Sequence, residues 1–371
     1  MDVNIYIYSN EIITFKNVIQ MKINRVGVVC LIFCGMFISG FGFSQSGNTG
    51  FNSEEDRTLR FMFYNVENLF DTIENPDAND EEFLPGGTRN WSSYRYYQKK
   101  NRIYKTIMAA GGWRPPELIG LCEIENETAL EDILWNTPFS KFEYKYIHKN
   151  SPDHRGIDVA LLYDPTKFFP VSEQFIRLKL PDEYSSTREI LYAKGHTVQS
   201  DTLHVFVNHW PSKYGGAVKS QPKRNIAAKT LKAVTDSILK IEKEAKLIIT
   251  GDFNDGVAAE SIKDFLAVNS VEDSVIDQNL YSLSEHWLNG SCGTYKYQGK
   301  WSVIDQFIVS GSLLKNSETL KTSKDDAHIF APAFLLEKDE KYIGKKPYRT
   351  YIGFRYNDGF SDHLPIILDL Y

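Results

Sequence analysis

Near its C-terminus the chain reads Gly359-Phe360-Ser361-Asp362-His363-Leu364-Pro365 and then runs into the apolar stretch Ile366–Leu370. A carboxylate and an imidazole set directly before a buried strand admit two readings, a polar turn or a catalytic histidine held at a strand end. The same placement recurs along the chain. Asn65 and Glu67 follow the apolar Phe61–Tyr64, and Glu123 follows Leu118–Cys122. Asn208 and His209 follow Val205–Val207, Asp252 and Asn254 follow Leu247–Thr250, and Asp305 sits inside Ser302–Phe307. Each of these alone is an ordinary turn former or cap. Several carboxylates at buried strand ends are another matter, because buried charge needs a counter-charge. A cation bound by hard oxygen donors meets that need, and Mg²⁺ uses one or two carboxylates while keeping several waters. Such a centre beside a histidine suits hydrolysis of a phosphate ester, where the anion must be neutralised and water activated.

These residues need elements to carry them, and the pattern after residue 57 alternates strands with helices. Strands are expected at LRFMFYNV, ELIGLCEIE, GIDVALLYDP, LHVFVNHWP, LIITGDFND, TYKY, WSVIDQFIVS and the final LPIILDL. YRYYQKKNRIYKTIMAAGG reads as a helix stopped by Gly111-Gly112, and 222–246 as a long amphipathic helix. A short helix is expected near SIKDFLAVN. No linker or repeat divides this part, so one α/β domain spans 57–371, with 321–357 as its longest irregular piece. If the strands share one sheet edge, their polar tips converge, as sites do in α/β sheets.

Composition is that of a folded protein, 42% hydrophobic and 24% charged. Residues 1–45 differ from the rest. Met21 opens a basic MKINR, an apolar VGVVCLIFCGMFISGFGF follows, and a polar SQSGNTGFNSEEDR ends it. This is a signal-peptide pattern, with Met21 as the expected start, residues 46–56 as a short polar linker, and export to the periplasm or outside the cell. The net charge is −6; the first 45 residues hold Asp2 and Glu11 against Lys16, Lys22 and Arg25, so the remainder stands at about −7. That excludes a protein that grips polyanions over its whole face and leaves room only for local contact. Cys122 and Cys292 remain in this part, either paired or free.

The ordered set FYNVENLFD, LCEIEN, RGIDVALLYD, VNHWPS, GDFND, VIDQFIV and SDHLP resembles the endonuclease/exonuclease/phosphatase superfamily over nearly all of 59–371. The resemblance implies a four-layered α/β sandwich, two mixed β-sheets packed face to face and flanked by helices. It implies Glu123 as the main metal ligand, supported by Asn65 and Asp362, with Glu67 a weaker one. It pairs His363 with Asp305, makes Asp252 the other group able to orient or deprotonate water, and has Asn254 donate to a phosphate oxygen. His209 stands where deoxyribonuclease-like members carry a second histidine, and Arg155 where some place a phosphate-binding arginine. Arg224 is a further candidate at the site edge, while Asp158 and Asn126 lie behind it. The metal expected is Mg²⁺, with Mn²⁺ or Ca²⁺ as alternatives. The metal core is shared by nucleases and by inositol- or lipid-phosphate hydrolases and does not name the substrate. Export, His209 and the basic, aromatic KKPYRTYIGFRY favour a DNA endonuclease, with RNA also open. An inositol- or lipid-phosphate phosphatase is the second reading, and a silent binding module the third. Glu123, Asp252 and His363 are all present, which argues against silence. No stable protein partner is expected, and the protein is expected to be a monomer.

Overall fold

The structure is a computed structural model in which residues 59–181, 186–315 and 319–371 are described; the expected signal region and linker lie outside them. Alternation along the strands dictates the architecture. Phe61 and Phe63 face one way and Met62 and Tyr64 the other, because successive strand side chains point to opposite faces. Both sets are apolar, so both faces must be covered.

The first sheet has six strands, ordered Ala327–Ile329, Ile366–Leu370, Leu59–Leu69, Leu118–Ile124, Asp158–Tyr163 and Lys145–His148. The second has seven, ordered Phe168–Ile176, Ile190–Thr197, Thr202–His209, Lys246–Asp252, Asp305–Ser310, Leu280–Ser282 and Val268–Ser270. Phe61, Phe63, Leu161, Val205, Val207, Ile248, Phe307 and Leu368 fill the space between them. Outside the first sheet, Met62, Tyr64, Ile119 and Leu121 meet Ile103 and Ile107 of helix α1 (Ser93–Gly111) and Leu130 and Ile133 of α2 (Glu127–Trp135). Outside the second, Phe206, Leu247 and Ile249 meet Ala227, Ala228 and Leu231 of α3 (Ala217–Ile241). The result is the expected α/β sandwich of four layers. Burying each such side chain contributes roughly 1.5–3 kcal/mol. Among the described residues no helix is long and apolar enough to cross a membrane.

Each sheet is mixed, and its central pair is parallel. Leu59–Leu69 runs parallel to Leu118–Ile124, joined through α1, and Thr202–His209 runs parallel to Lys246–Asp252, joined through α3. Parallel neighbours place their C-terminal ends side by side, so Asn65, Glu123, His209 and Asp252 finish at one edge. Asp305 reaches it from the other direction, opposite Asp252 in an antiparallel register.

Three departures from the sequence reading have physical causes. The strands Lys145–His148, Phe168–Ile176 and Ile190–Thr197 were not expected; the second is an exposed edge interrupted by Pro170 and by the polar Ser172–Gln174. Helix α3 begins at Ala217 and ends at Ile241, although Pro222 suggests a start. Its first turn is held by side chains as well, Ser220 Oγ donating to the Gly216 carbonyl and Arg224 Nη2 to the Ala217 carbonyl, while the N–H that Pro222 lacks would have served Val218. The stretch 321–357 is not irregular: Ala327–Ile329 extends the first sheet, and two small hairpins follow. Both cysteines are free, Cys122 buried and Cys292 half-buried.

Candidate active site

Two strand ends reach the site through bent backbone. The register of the first strand against the second slips between Asn65 and Leu69, and that of the second strand against its other neighbour slips between Cys122 and Ile124. At these bulges Glu67 has φ of 53° and Glu123 of 64°, values that L-residues with long side chains rarely adopt. Bulges re-aim side chains next to sites, and strain of this kind persists only where the surroundings impose it. In the second sheet Gly251 has φ of 155°, and a Cβ there would lie 2.3 Å from the Asn208 carbonyl oxygen, so only glycine lets Asp252 follow on.

Asn65 joins the sheets. Its Nδ2 donates to Asp252 Oδ2 at 3.1 Å and to Glu123 Oε1 at 3.3 Å, while its Oδ1 accepts from the Glu67 N–H at 3.0 Å. The amide oxygen expected for a metal is thus engaged, and Asn65 here sets the spacing of two carboxylates. Glu123 Oε2 accepts from the Asn68 N–H at 2.9 Å, and His209 Nε2 lies 3.8 Å from Glu123 and 3.7 Å from Asp252. Burial, then the nearby Arg188 and Arg155 charges, hold His209 well below the ordinary histidine range, so its ring is neutral.

His363 and Asp362 diverge as neighbours in extended chain do. His363 Nδ1 pairs with Asp305 Oδ2 at 2.8 Å, and Nε2 is 3.8 Å from Asp252 Oδ2. Burial opposes its charge, but Asp305 and then Asp252 outweigh burial and keep the imidazolium far above its usual range. Burial pushes Asp252 up to about 7 even with His363 opposing it. Ser361 fixes the turn: its Oγ donates to the Asn65 carbonyl at 2.7 Å and accepts from the His363 N–H at 3.1 Å. The Tyr295 ring packs 4.9 Å from the imidazole.

On the other side Arg349 stands between Glu67 (3.1 Å) and Asp362 (3.0 Å), and Glu67 also accepts from the Thr350 N–H at 2.6 Å. Both carboxylates were expected at a metal; here one arginine stands between them and offsets one of the two charges. Burial, then Asp362, raises Glu67, with Arg349 opposing. Behind them Lys99 donates to Thr350 Oγ1 and the Phe360 carbonyl, and burial lowers it to about 8.

Asn254 has its Nδ2 on the Trp210 carbonyl at 3.1 Å and φ of 52°. Arg155, about a third exposed, pairs with Asp153 at 3.5 Å. Arg224 does not offer a substrate contact: it is fully buried, its guanidinium held by Asp255 at 2.8 Å, the Pro211 carbonyl, Ser220 and Gln221. It props the Asp252–Asp255 turn instead. Asp158 pairs with His148 at 2.9 Å, and Asn126 caps α2. Sequence reasoning missed Arg188, which holds the carbonyls of His209 and Trp210, and Arg349, whose signal was the basic, aromatic run around it.

The donor set fits a divalent cation. Glu123 and Asp252 are hard oxygen donors, Asp305 Oδ1 is buried without a partner, and Asp252, Asp305 and His363 each offer a ligand atom within 4.8 Å of the others. Glu123 would hold the ion and leave Asp252 and the His363–Asp305 pair free.

The sequence matches the endonuclease/exonuclease/phosphatase family over residues 60–371, a family dependent on divalent metals. No curated protein sequence matches it. Among solved structures, an endonuclease/exonuclease/phosphatase family protein from Bacteroides thetaiotaomicron is similar at TM-score 0.51 and 16% identity, over 84% of this chain and 97% of that one. A mannosyl-6-phosphatase from the same organism is similar at 0.51 and 18%, over 84% and 99%. A D. rerio TDP2 humanised by 14 mutations is similar at 0.52 and 14%, over 84% and 98%. At such identities these structures speak for the fold. The chain belongs to the endonuclease/exonuclease/phosphatase family and is a hydrolase acting on phosphate esters.

Proposed function

We propose that this hydrolase is an exported, Mg²⁺-dependent phosphodiesterase that cuts nucleic acid, DNA foremost, as an endonuclease. The observation that carries the reading is where the basic, aromatic run lies. Arg349 bonds Glu67 and Asp362, which flank the reaction centre, and Arg89, which lines one cleft with Arg349, lies over the ring of Phe354, 64% exposed. Arginines beside an open aromatic ring suit a strand that offers phosphates and bases in alternation.

Within the centre Asp305 orients the His363 ring and holds its proton, and the imidazolium faces the phosphate's developing negative charge. Asp252, raised to about 7, takes the proton of the attacking water near neutral pH. A divalent cation held by Glu123 would polarise the phosphoryl oxygen. Arg155 meets the outer phosphate oxygens.

A second reading has support from a polar cleft of about 170 Å³ lined by Glu67, Asn68, Arg89, Arg349 and Thr350, a size that suits a small phosphorylated polyol. The experiment is hydrolysis of supercoiled DNA, RNA, a chromogenic phosphodiester, inositol phosphates and sugar monophosphates, with His363→Ala and chelator controls. Metal-dependent nicking of DNA that vanishes in the variant supports the first reading. Turnover confined to sugar or inositol phosphates overturns it.

A further inference from the structure

Lys99 of helix α1 is a buried charge with no carboxylate bonded to it among the described residues. The next residue shows the ordinary arrangement, since Lys100 pairs with Asp132 at 2.6 Å. Lys99, only 1% exposed, spends its ammonium on neutral oxygens instead. Its Nζ donates to Thr350 Oγ1 and to the Phe360 carbonyl, each at 2.5 Å, and Thr350 Oγ1 donates on to that carbonyl at 3.4 Å. Helix, hairpin and turn are closed into one triangle.

Both acceptors adjoin residues already placed at the site. Thr350 follows Arg349, and its N–H donates to Glu67 Oε2 at 2.6 Å. Phe360 precedes Ser361, whose Oγ holds the Asn65 carbonyl and the His363 N–H. The two segments meet through backbone. The Phe360 N–H donates to the Tyr348 carbonyl, and a Cβ at Gly359 would lie 2.2 Å from the carbonyl oxygens of Tyr348 and Arg349. No side chain fits between them there, so a shift of one segment moves the other. Lys99 pins that joint from the helix side.

Charge explains why the pin is a lysine. When both are ionised, Glu67 and Asp362 carry two negative charges against the single positive charge of Arg349. A buried imbalance of this kind calls for a further cation. Burial works against the Lys99 charge, while the negative charges of Glu67, Asp362 and Glu123 work for it. A neutral donor could make the same two bonds but would leave the excess negative charge in place beside His363.

We propose that Lys99 is a positioning residue for the hydrolysis: through the Phe360 carbonyl and Thr350 it sets where Ser361 places His363, and it supplies the second cation that Glu67 and Asp362 require. The inference rests on His363 facing the phosphate and does not depend on which phosphate ester is cut.

The test compares Lys99→Met with a control, Lys100→Met, in the full chain. One readout is kcat and KM on a chromogenic phosphodiester. The other is the NMR signal of the Nδ1 proton that His363 shares with Asp305, assigned by its loss in His363→Ala. Lys99→Met is expected to lower kcat by about 10–10²-fold with KM little changed, as a displacement of roughly 1 Å does, and to shift or broaden the signal. Lys100→Met loses an ion pair on the same helix and leaves both readouts as they are. Thr350→Val keeps the N–H on Glu67 and decides the matter if Lys99→Met does not fold; the same two changes are expected of it. A near-normal kcat with an unmoved signal, a change in KM alone, or equal effects from Lys100→Met overturn the proposal. A signal that moves in Lys99→Met while His363→Ala keeps its rate shows instead that the reading of His363 has failed, and the role of Lys99 in hydrolysis goes with it.

Discussion

Two adjacent residues, Asp362 and His363, belong to two different charge clusters. In one, Arg349 sits between Glu67 and Asp362; in the other, His363 sits between Asp305 and Asp252. Both have one cation flanked by two carboxylates. They differ in whether that cation can give up its proton. A guanidinium stays charged at any working pH, so the first cluster is a fixed brace. An imidazole can release and recover a proton, so the second can take part in chemistry. The contrast assigns structure to one side of the turn and reaction to the other.

The strongest way to break this division is His363→Ala. Activity is expected to fall by on the order of 10²–10⁴-fold, read as kcat on a chromogenic phosphodiester, with the fold retained by circular dichroism. A variant of near-normal rate would sink the assignment. Asp305→Asn removes the partner that orients and charges His363; a loss on the order of 10²-fold in kcat is expected, with KM little changed. An effect on KM alone would make Asp305 a structural residue. The third test is pH. Asp252, pushed up to about 7, is charged above that value and protonated below it. The rate should therefore fall as pH drops through about 7, approaching tenfold per unit. A rate flat from pH 5 to 8 would remove Asp252 as the proton acceptor.

The brace should report in stability first. Arg349→Met leaves Glu67 buried opposite Asp362, and with the guanidinium about a third exposed the expected loss is about 1–3 kcal/mol in urea unfolding. A last effect, confined to alkaline pH, concerns Lys99, behind the brace. Its folded value is about 8 and its ordinary value 10.5. Between them the unfolded chain binds more protons, so stability rises with pH across that window, by up to about 3 kcal/mol. Below about 8 both states are charged and the full penalty is present. Lys99→Met should abolish the rise between pH 8 and 10; an unchanged slope would mean Lys99 is not its source.

The residues of the second cluster were legible because each stands at the end or edge of an apolar run, and carboxylates are conspicuous there. Asp252, Asp305 and His363 needed only strand direction to be brought together. Arg349 was not legible in the same way. Its partner Glu67 is 282 residues away, and nothing local says over which strand end its hairpin folds. Arg224 misled for the opposite reason: an arginine at a helix start looks available, and only the tertiary contact with Asp255 shows that it is spent. Helices α1 and α3 and the central strands followed from periodicity, whereas the short α2 was not expected and the exposed edge Phe168–Ile176 lacks the apolar run that betrays a strand.

The hydrogen bond from Asn65 to Asp252 crosses from one sheet to the other, as does that from His363 to Asp305. The reaction centre therefore works as a gauge of the gap between two layers. A Cβ added at Gly120 would lie 3.1 Å from the Phe63 ring and 3.4 Å from Val207 across that gap, so those neighbours would have to give by a few tenths of an ångström. A methyl group added there presses on both layers three residues before Glu123 without replacing any site side chain. Such a change stretches both crossing bonds at once, so the chain can stay folded and still lose its catalyst.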